Sequence, residues 1–145
     1  MRLHLGHPDS ESTLQLLDES AIRDRSAVID PILDPATLAR INSIANLIYV
    51  DRSILEYVNG IIEATRDLEG VRTGVSVRGA LSYVRAAKAW AAAQGRNHVL
   101  PSDIQDLAHP ILEHRLSVEP EARMGGTTDT FLVDQVMKSV PEPAG

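Results

Sequence analysis

Cysteine is absent from this 145-residue sequence, and aromatic residues are scarce. Without cysteine the chain can form no disulfide, no thiolate zinc or iron-sulfur site and no thiol nucleophile. The aromatic side chains are Trp90, Tyr49, Tyr57, Tyr83 and Phe131. The core must therefore come mainly from Leu, Ile, Val and Ala, and this composition favours packed helices over a β-sandwich.

Long apolar runs are also lacking. The longest stretch without Asp, Glu, Lys or Arg runs from Ile41 to Val50, about half of the ~20 residues needed to span a bilayer. The N-terminus does not show the basic and then apolar order of a secretory signal. We therefore expect a cytoplasmic domain that does not enter a membrane.

Positive charge is in deficit, with 14 basic residues against 20 acidic residues and a net charge of -6. This balance argues against nucleic acid as a partner, because affinity for it depends mainly on Lys and Arg at phosphates. One basic segment interrupts the acidic chain, since no acid occurs between Glu69 and Asp103. Its cations are Arg72, Arg78, Arg85, Lys88 and Arg96. This segment is the first local indication of an anionic ligand.

The pattern of apolar residues and caps predicts an all-α fold, a helical bundle preceded by one short strand. Residues 2–5 alternate like a strand and have no evident partner. The predicted helices cover residues 10–20, 35–48, 54–66, 77–94, 101–112 and 128–139, with a connector over 21–35. Asp34 and Ser76 are predicted N-caps, Gly95 closes the fourth helix, and Pro110 bends or divides the fifth.

Familiar catalytic motifs are missing. The sequence has no glycine-rich phosphate loop ending in Lys-Ser or Lys-Thr, no paired-histidine zinc helix and no nucleophile elbow. No two of its histidines are three or four residues apart on a helix, and His109 and His114 would diverge by about 140°. We therefore predict no catalytic residue and no metal site in this chain.

The segment from Gly74 to Gly79, Gly-Val-Ser-Val-Arg-Gly, combines features of a phosphate site. Ser76 caps a helix whose first turn offers free N–H groups and a positive dipole end, and Arg78 lies in that turn. At helical spacing the candidate anion face continues with Arg85 and Lys88, within about 80° of Arg78. A simpler interpretation also holds, in which Ser76 is an ordinary cap and the arginines pair with surface carboxylates.

Several ordered segments resemble the C-terminal part of a MoxR-type AAA+ ATPase. They are Leu5-Gly6-His7-Pro8-Asp9, the run from Tyr57-Val58 to Ala64-Thr65-Arg66, Gly74-Val75-Ser76-Val77-Arg78-Gly79, Ala91 to Gly95-Arg96, Val99-Leu100-Pro101-Ser102-Asp103-Ile104 and Leu112-Glu113-His114-Arg115-Leu116. They span nearly the whole chain in the family's order. Two positions depart from the family pattern: Val77 replaces the proline before the sensor arginine, and His7 replaces the tyrosine of a Gly-Tyr-Pro corner.

The resemblance implies that residues 1–19 are the last strand and helix of the α/β AAA+ core and that residues 20–145 are the helical lid. It implies that Arg78 is the sensor 2 arginine, which reaches the phosphates of a nucleotide bound by the core, with Ser76 and Gly79 beside it. The Walker A loop, Walker B acid, sensor 1 and arginine finger precede the equivalent of Met1 in the family. We therefore expect this chain to be part of a larger enzyme and not to hydrolyse ATP alone.

For the larger enzyme the resemblance implies ATP and Mg2+ as cofactors, with neither bound to this chain alone. It further implies contacts with the AAA+ core of the same protein, with neighbouring subunits of a hexameric ring and with proteins that carry von Willebrand factor A domains. The implied function is ATP-driven, chaperone-like remodelling or activation of other proteins. One alternative stays open: a stand-alone helical adaptor that binds an acidic protein or nucleic acid through its basic helix face.

Overall fold

Helices dominate the computed structural model, which describes residues 1, 3, 5–18 and 29–143. The helices are α1 (Ser10–Asp18), α2 (Pro35–Leu47), α3 (Arg52–Asp67), α4 (Val77–Ala93), α5 (Pro101–Leu112), α6 (Pro120–Met124) and α7 (Asp129–Ser139). The strands are β1 (Val71–Thr73) and β2 (Ser117–Val118), and a 3-10 turn over Glu113–Arg115 follows α5. The predicted helical class is confirmed, and each of the six predicted helices has a counterpart.

Side-chain caps determine where several helices begin. Asp34 accepts the Thr37 N–H at 2.7 Å at the start of α2. Ser76 caps α4 as predicted. The same kind of bond starts α3 and α7, at Asp51 and Thr128. These oxygens satisfy donors that the first turn of a helix leaves unpaired, which explains why the helix starts are readable from the sequence.

The core lies between α3, α4, α5 and α7 and is mainly aliphatic. Its buried side chains recur on one face of each helix: Ile54, Val58, Ile61 and Ile62 on α3; Ala87 and Ala91 on α4; Ile104, Leu107, Ala108, Ile111 and Leu112 on α5; Leu132, Val133 and Val136 on α7. Small alanines allow α4 and α5 to pack closely. Tyr83 is also fully buried, and its hydroxyl donates to the Ile104 carbonyl.

A small sheet fixes the segment that leads into α4. β1 pairs with β2 in the antiparallel direction, with Val71 opposite Val118 and Thr73 opposite Ser117. The sequence predicted neither strand, nor the five-residue α6. Segments this short contain too few residues to show a periodic pattern of apolar side chains. The pairing ties the chain after α5 to the loop that precedes the predicted phosphate site.

The N-terminal predictions fall partly outside the described residues. Leu3 and Leu5 are exposed and have no strand pairing with any described residue. Residues 2 and 4, the predicted end of the first helix at residues 19–20 and residues 21–28 of the connector are not described. α1 buries none of its side chains. The division of the chain into residues 1–19 and 20–145 stays a prediction.

The two interruptions predicted in the second half have different outcomes. Gly95 follows α4 and has a φ of +73°, the left-handed conformation that closes a helix at low cost for glycine. α5, by contrast, continues through Pro110 to Leu112, so the predicted division is wrong and the bend at Pro110 stays a prediction. Among the helices of the described ranges, none has the length and apolar character needed to cross a membrane.

Candidate functional site

α4 begins at the centre of the predicted phosphate site. The Gly79 N–H donates to Ser76 Oγ at 3.3 Å, and Ser76 has the extended backbone of a cap. Ser76, Val77 and Arg78 are exposed. The first turn of α4 therefore presents backbone donors and the positive end of the helix dipole to its surroundings, an environment that suits an anion such as phosphate.

The residue before the cap, Val75, is held by the end of α3. The buried Thr65 hydroxyl accepts the Val75 N–H at 2.9 Å and donates to the Ile62 carbonyl at 2.6 Å. Arg66 donates from Nε and Nη2 to the Val75 carbonyl, each at 3.2 Å. Both backbone polar groups of Val75 are thus satisfied by side chains of α3, which fixes the chain where it enters α4.

Two glycines allow the chain around Val75 to lie close to the end of α3 and to the first turn of α4. A Cβ on Gly74 would lie 2.8 Å from the Thr65 carbonyl oxygen and 2.9 Å from the Arg66 Cα. A Cβ on Gly79 would overlap with Val75 Cγ1. The glycines at both ends of the predicted segment are therefore required by packing around Val75, whether or not a ligand binds.

Arg78 extends from this first turn into the surroundings. Its side chain is exposed, and within the described ranges it forms no ion pair with a carboxylate. A cation in the first turn of a helix is mildly destabilising unless an anion balances it. None of the described surface carboxylates provides that balance.

The structure separates the other cations of the basic segment into two kinds. Lys88 Nζ donates to the Asn46 carbonyl at 2.9 Å, near the C-terminal end of α2, where a cation is favourable. Arg96 pairs with Asp103. Arg72 and Arg85 are exposed and form no salt bridge in the part of the chain that is described. Of the candidate anion face, Arg78 and Arg85 are thus exposed, whereas Lys88 has a partner within the fold, and the role of this face stays a prediction.

A further arginine lies close to the first turn of α4. A Cβ on Gly79 would lie 3.5 Å from Arg115 Cδ, so the Arg115 side chain passes beside this turn. Its Nε is buried and has no hydrogen-bond partner among the described atoms. A buried donor without a partner costs about 1–3 kcal/mol. Arg115 thus brings a second cationic side chain to the first turn of α4.

Metal ligands do not converge anywhere in the described ranges. His109 has acidic neighbours on both sides, with Nδ1 3.0 Å from Glu113 Oε1 and Nε2 3.2 Å from Asp134 Oδ1. The imidazole lies between the two carboxylates, so the three groups do not face a common point. This cluster joins the end of α5 to α7.

Reasoning from residue types did not identify Thr65, Arg66 or Arg115 as parts of the site. All three lie in segments that carry the family resemblance, which was the available signal. The contacts of Thr65 and Arg66 with Val75 join residues nine and ten positions apart across the end of a helix. Apolar periodicity is a property of one helix at a time and carries no signal for such contacts.

Comparison with known proteins identifies related sequences over this region. Residues 63–136 match the AAA lid domain family. The uncharacterized protein YeaC of Bacillus subtilis (strain 168) is 30% identical over 142 residues, which cover 98% of this chain and 44% of that protein. The chaperone MoxR1 of Mycobacterium tuberculosis is 25% identical over 151 residues, which cover 98% of this chain and 40% of that protein. The chain thus spans less than half the length of these relatives.

A solved structure shares the fold. The crystal structure of a presumed ATPase from Cytophaga hutchinsonii superposes with a TM-score of 0.78 and 25% identity, covering 99% of this chain and 46% of that chain. The family match over residues 63–136 begins near the end of α3 and extends into α7. It therefore includes the residues that hold Val75, the first turn of α4 and Arg115.

Proposed function

This chain belongs to the AAA lid domain family and is the lid region of a MoxR-like AAA+ ATPase, and on that premise we propose that it senses the phosphates of a nucleotide bound by an AAA+ core. Arg78 is the sensor 2 arginine in this proposal, and Ser76 and Gly79 form the helix end beside it. The observation that carries the proposal is the exposed Arg78 side chain, which has no described acidic partner, in the first turn of a helix whose start is held by α3.

The donor set at the start of α4 fits phosphate groups. Backbone N–H groups and a guanidinium supply donors and positive charge, and Arg115 lies nearby. Bound to the core, ATP with Mg2+ supplies the phosphoryl group that is transferred to water. Arg78 donates hydrogen bonds to phosphate oxygens and balances their charge, which is how a preorganised arginine assists phosphoryl transfer.

The packing of α4 supports transmission from this site to the rest of the lid. α4 packs against α2, α3 and α5, and its buried face begins at Gly79, directly after Arg78. Because protein interiors are closely packed, such a helix shifts together with its neighbours. A different contact of Arg78 in the ATP and ADP states would therefore change the angle between lid and core.

For the whole enzyme we propose ATP-driven, chaperone-like remodelling or activation of partner proteins. The name of the mycobacterial relative, a chaperone, supports this role. The proposal includes a hexameric ring in the cytoplasm, in which the lid contacts its own core and a neighbouring subunit, and partners that carry von Willebrand factor A domains.

The test is made on the ATPase that contains this lid, because one arginine and a helix end fall short of the ~8 kcal/mol that micromolar affinity needs. Arg78→Ala should lower ATP turnover by at least about tenfold, since it removes charge stabilisation at the phosphates. The matched control is Arg52→Ala at the far, N-terminal end of α3, where the side chain is 86% exposed. Unchanged turnover in Arg78→Ala, with a normal thermal melt, would contradict the proposal.

A further inference from the structure

Two side chains at the end of α3 hold the backbone just before the α4 cap. We propose that Thr65 and Arg66 are positioning residues that direct Arg78 toward the nucleotide. This inference rests on the proposed sensing role of Arg78. Thr65 and Arg66 need no contact with the nucleotide, because they act through the backbone of Val75.

The Thr65 hydroxyl has a defined orientation because it takes part in two hydrogen bonds. Its hydrogen is donated to the Ile62 carbonyl at 2.6 Å, which leaves the oxygen lone pairs to accept the Val75 N–H at 2.9 Å. Thr65 is fully buried, so water does not compete for either bond. Valine at position 65 would keep the shape but leave the buried Val75 N–H without an acceptor.

Arg66 holds the other polar group of Val75. Its Nε and Nη2 both donate to the Val75 carbonyl at 3.2 Å, and the planar guanidinium fixes the direction of the two bonds. Arg66 lies in the last turn of α3, where a cation is favourable at the negative end of the helix dipole. Lysine at this position would keep the charge but not the planar pair of donors.

The held residue and the sensor are close in sequence. Only Ser76 and Val77 separate Val75 from Arg78. The Val75 side chain is 1% exposed and packs against Gly79, so Val75 is fixed through its backbone and its side chain together. A displacement of Val75 tilts the first turn of α4 and moves the Arg78 guanidinium. Misplacement of a reacting group by about 1 Å can cost on the order of a hundredfold in rate.

A double-mutant cycle on ATP turnover by the full ATPase tests this inference. Thr65→Val and Arg66→Met are each combined with Arg78→Ala. If the two α3 residues act through Arg78, each should lower kcat about tenfold when Arg78 is present and have no further effect when it is alanine. Thr65→Ser restores the hydroxyl and should recover most of the turnover. The matched control is Arg52→Met, at the opposite end of the same helix.

Two results would overturn the inference while leaving phosphate sensing intact. One is an equal loss of turnover with and without Arg78, which indicates a general structural role; the other is no loss in either background. If Arg78→Ala alone leaves turnover unchanged, the sensing proposal fails first and this inference fails with it. If Arg66→Met does not melt cooperatively, Arg66→Lys takes its place under the same criteria.

Hydrogen exchange on the chain itself provides a second measurement. Thr65→Val should speed amide exchange at Val75 and Gly79, because the N–H of Val75 loses its acceptor and the α4 cap loosens. The amide of Leu55, near the start of α3, should exchange as before. Unchanged exchange at Val75 would show that the hydroxyl does not hold this backbone, and would contradict the inference.

Discussion

Arg96 and Asp103 form a two-bond ion pair that connects the end of α4 to the first turn of α5. Arg96 Nη1 donates to Asp103 Oδ2 at 2.7 Å and Nη2 donates to Oδ1. The Leu100 N–H also donates to Asp103 Oδ2, at 2.8 Å. The carboxylate side chain is 2% exposed and the guanidinium side chain 25%. Asp103 therefore caps α5 and holds the loop between the two helices.

The first prediction concerns the removal of this carboxylate. Asp103→Asn should lower the free energy of unfolding by about 3 kcal/mol, because it leaves the Arg96 guanidinium without its charge partner and weakens the α5 cap. For a chain of this size that corresponds to a melting temperature lower by roughly 6–12 °C. The matched control is Asp106→Asn, since Asp106 is exposed on the same helix and should change the melt little.

The second prediction is a pH dependence. Burial opposes ionisation of Asp103, but the hydrogen bonds from Arg96 and the Leu100 N–H outweigh it, so the pKa of Asp103 lies below its ordinary value. The unfolded chain therefore binds the proton at a higher pH than the folded chain does. The added stability is complete above about pH 4, the unfolded pKa, and is lost as the pH falls through the folded pKa.

Thermal melts of the parent chain and Asp103→Asn, from neutral pH down to about pH 2, measure this contribution of the Asp103 charge to stability. The difference between their melting temperatures should be largest near neutral pH and shrink as the pH falls below about 4. A difference that stays constant down to about pH 2 would show that the charge of Asp103 contributes nothing to the stability.

This ion pair also shows why the partners of the basic segment could not be predicted from the sequence. Arg96 was counted with the cations of a segment free of acids, yet it pairs with Asp103, the first acid after that segment. Lys88 reaches the Asn46 carbonyl, 42 residues away. Caps and apolar periodicity are local signals, so Asp34 and Ser76 were predictable. Pairing across a loop or between helices depends on packing that neither signal contains.

The third prediction tests the close packing around Val75. Gly79→Ala should lower the free energy of unfolding by about 1–3 kcal/mol, because the added methyl group overlaps with Val75 Cγ1. Gly74→Ala should cost at least as much, since its methyl meets backbone atoms that cannot turn aside. The matched control is Gly60→Ala in α3, whose methyl meets only a Val140 methyl group, at 3.2 Å. Equal melting temperatures for the three variants would contradict this account.

The predicted site was only partly readable from the sequence. Gly79, Ser76 and Arg78 were recognisable because a glycine-bounded cap followed by an arginine is a local pattern. The pattern suggests that Gly79 belongs to the phosphate site. In the structure, the missing side chain of Gly79 makes room for the Val75 side chain. The contribution of Arg66 required the end of α3 to be placed beside the start of α4.

The fourth prediction compares two tyrosine hydroxyls. Burial raises the pKa of Tyr83, so its hydroxyl stays protonated and donates to the Ile104 carbonyl inside the core. Tyr83→Phe removes the donor, leaves that carbonyl with one partner fewer and should lower the free energy of unfolding by about 1–2 kcal/mol.

Tyr49→Phe is the matched control for this substitution. The Tyr49 hydroxyl bonds to Asp51 Oδ2 at 3.2 Å, but the residue is 62% exposed, so water replaces the lost bond. Its melt in denaturant should therefore agree with that of the parent within about 0.5 kcal/mol. If both variants lose the same stability, the hydrogen bond of the Tyr83 hydroxyl does not stabilise the packing of α4 against α5. In that case α4 packs against α5 through its alanine face alone.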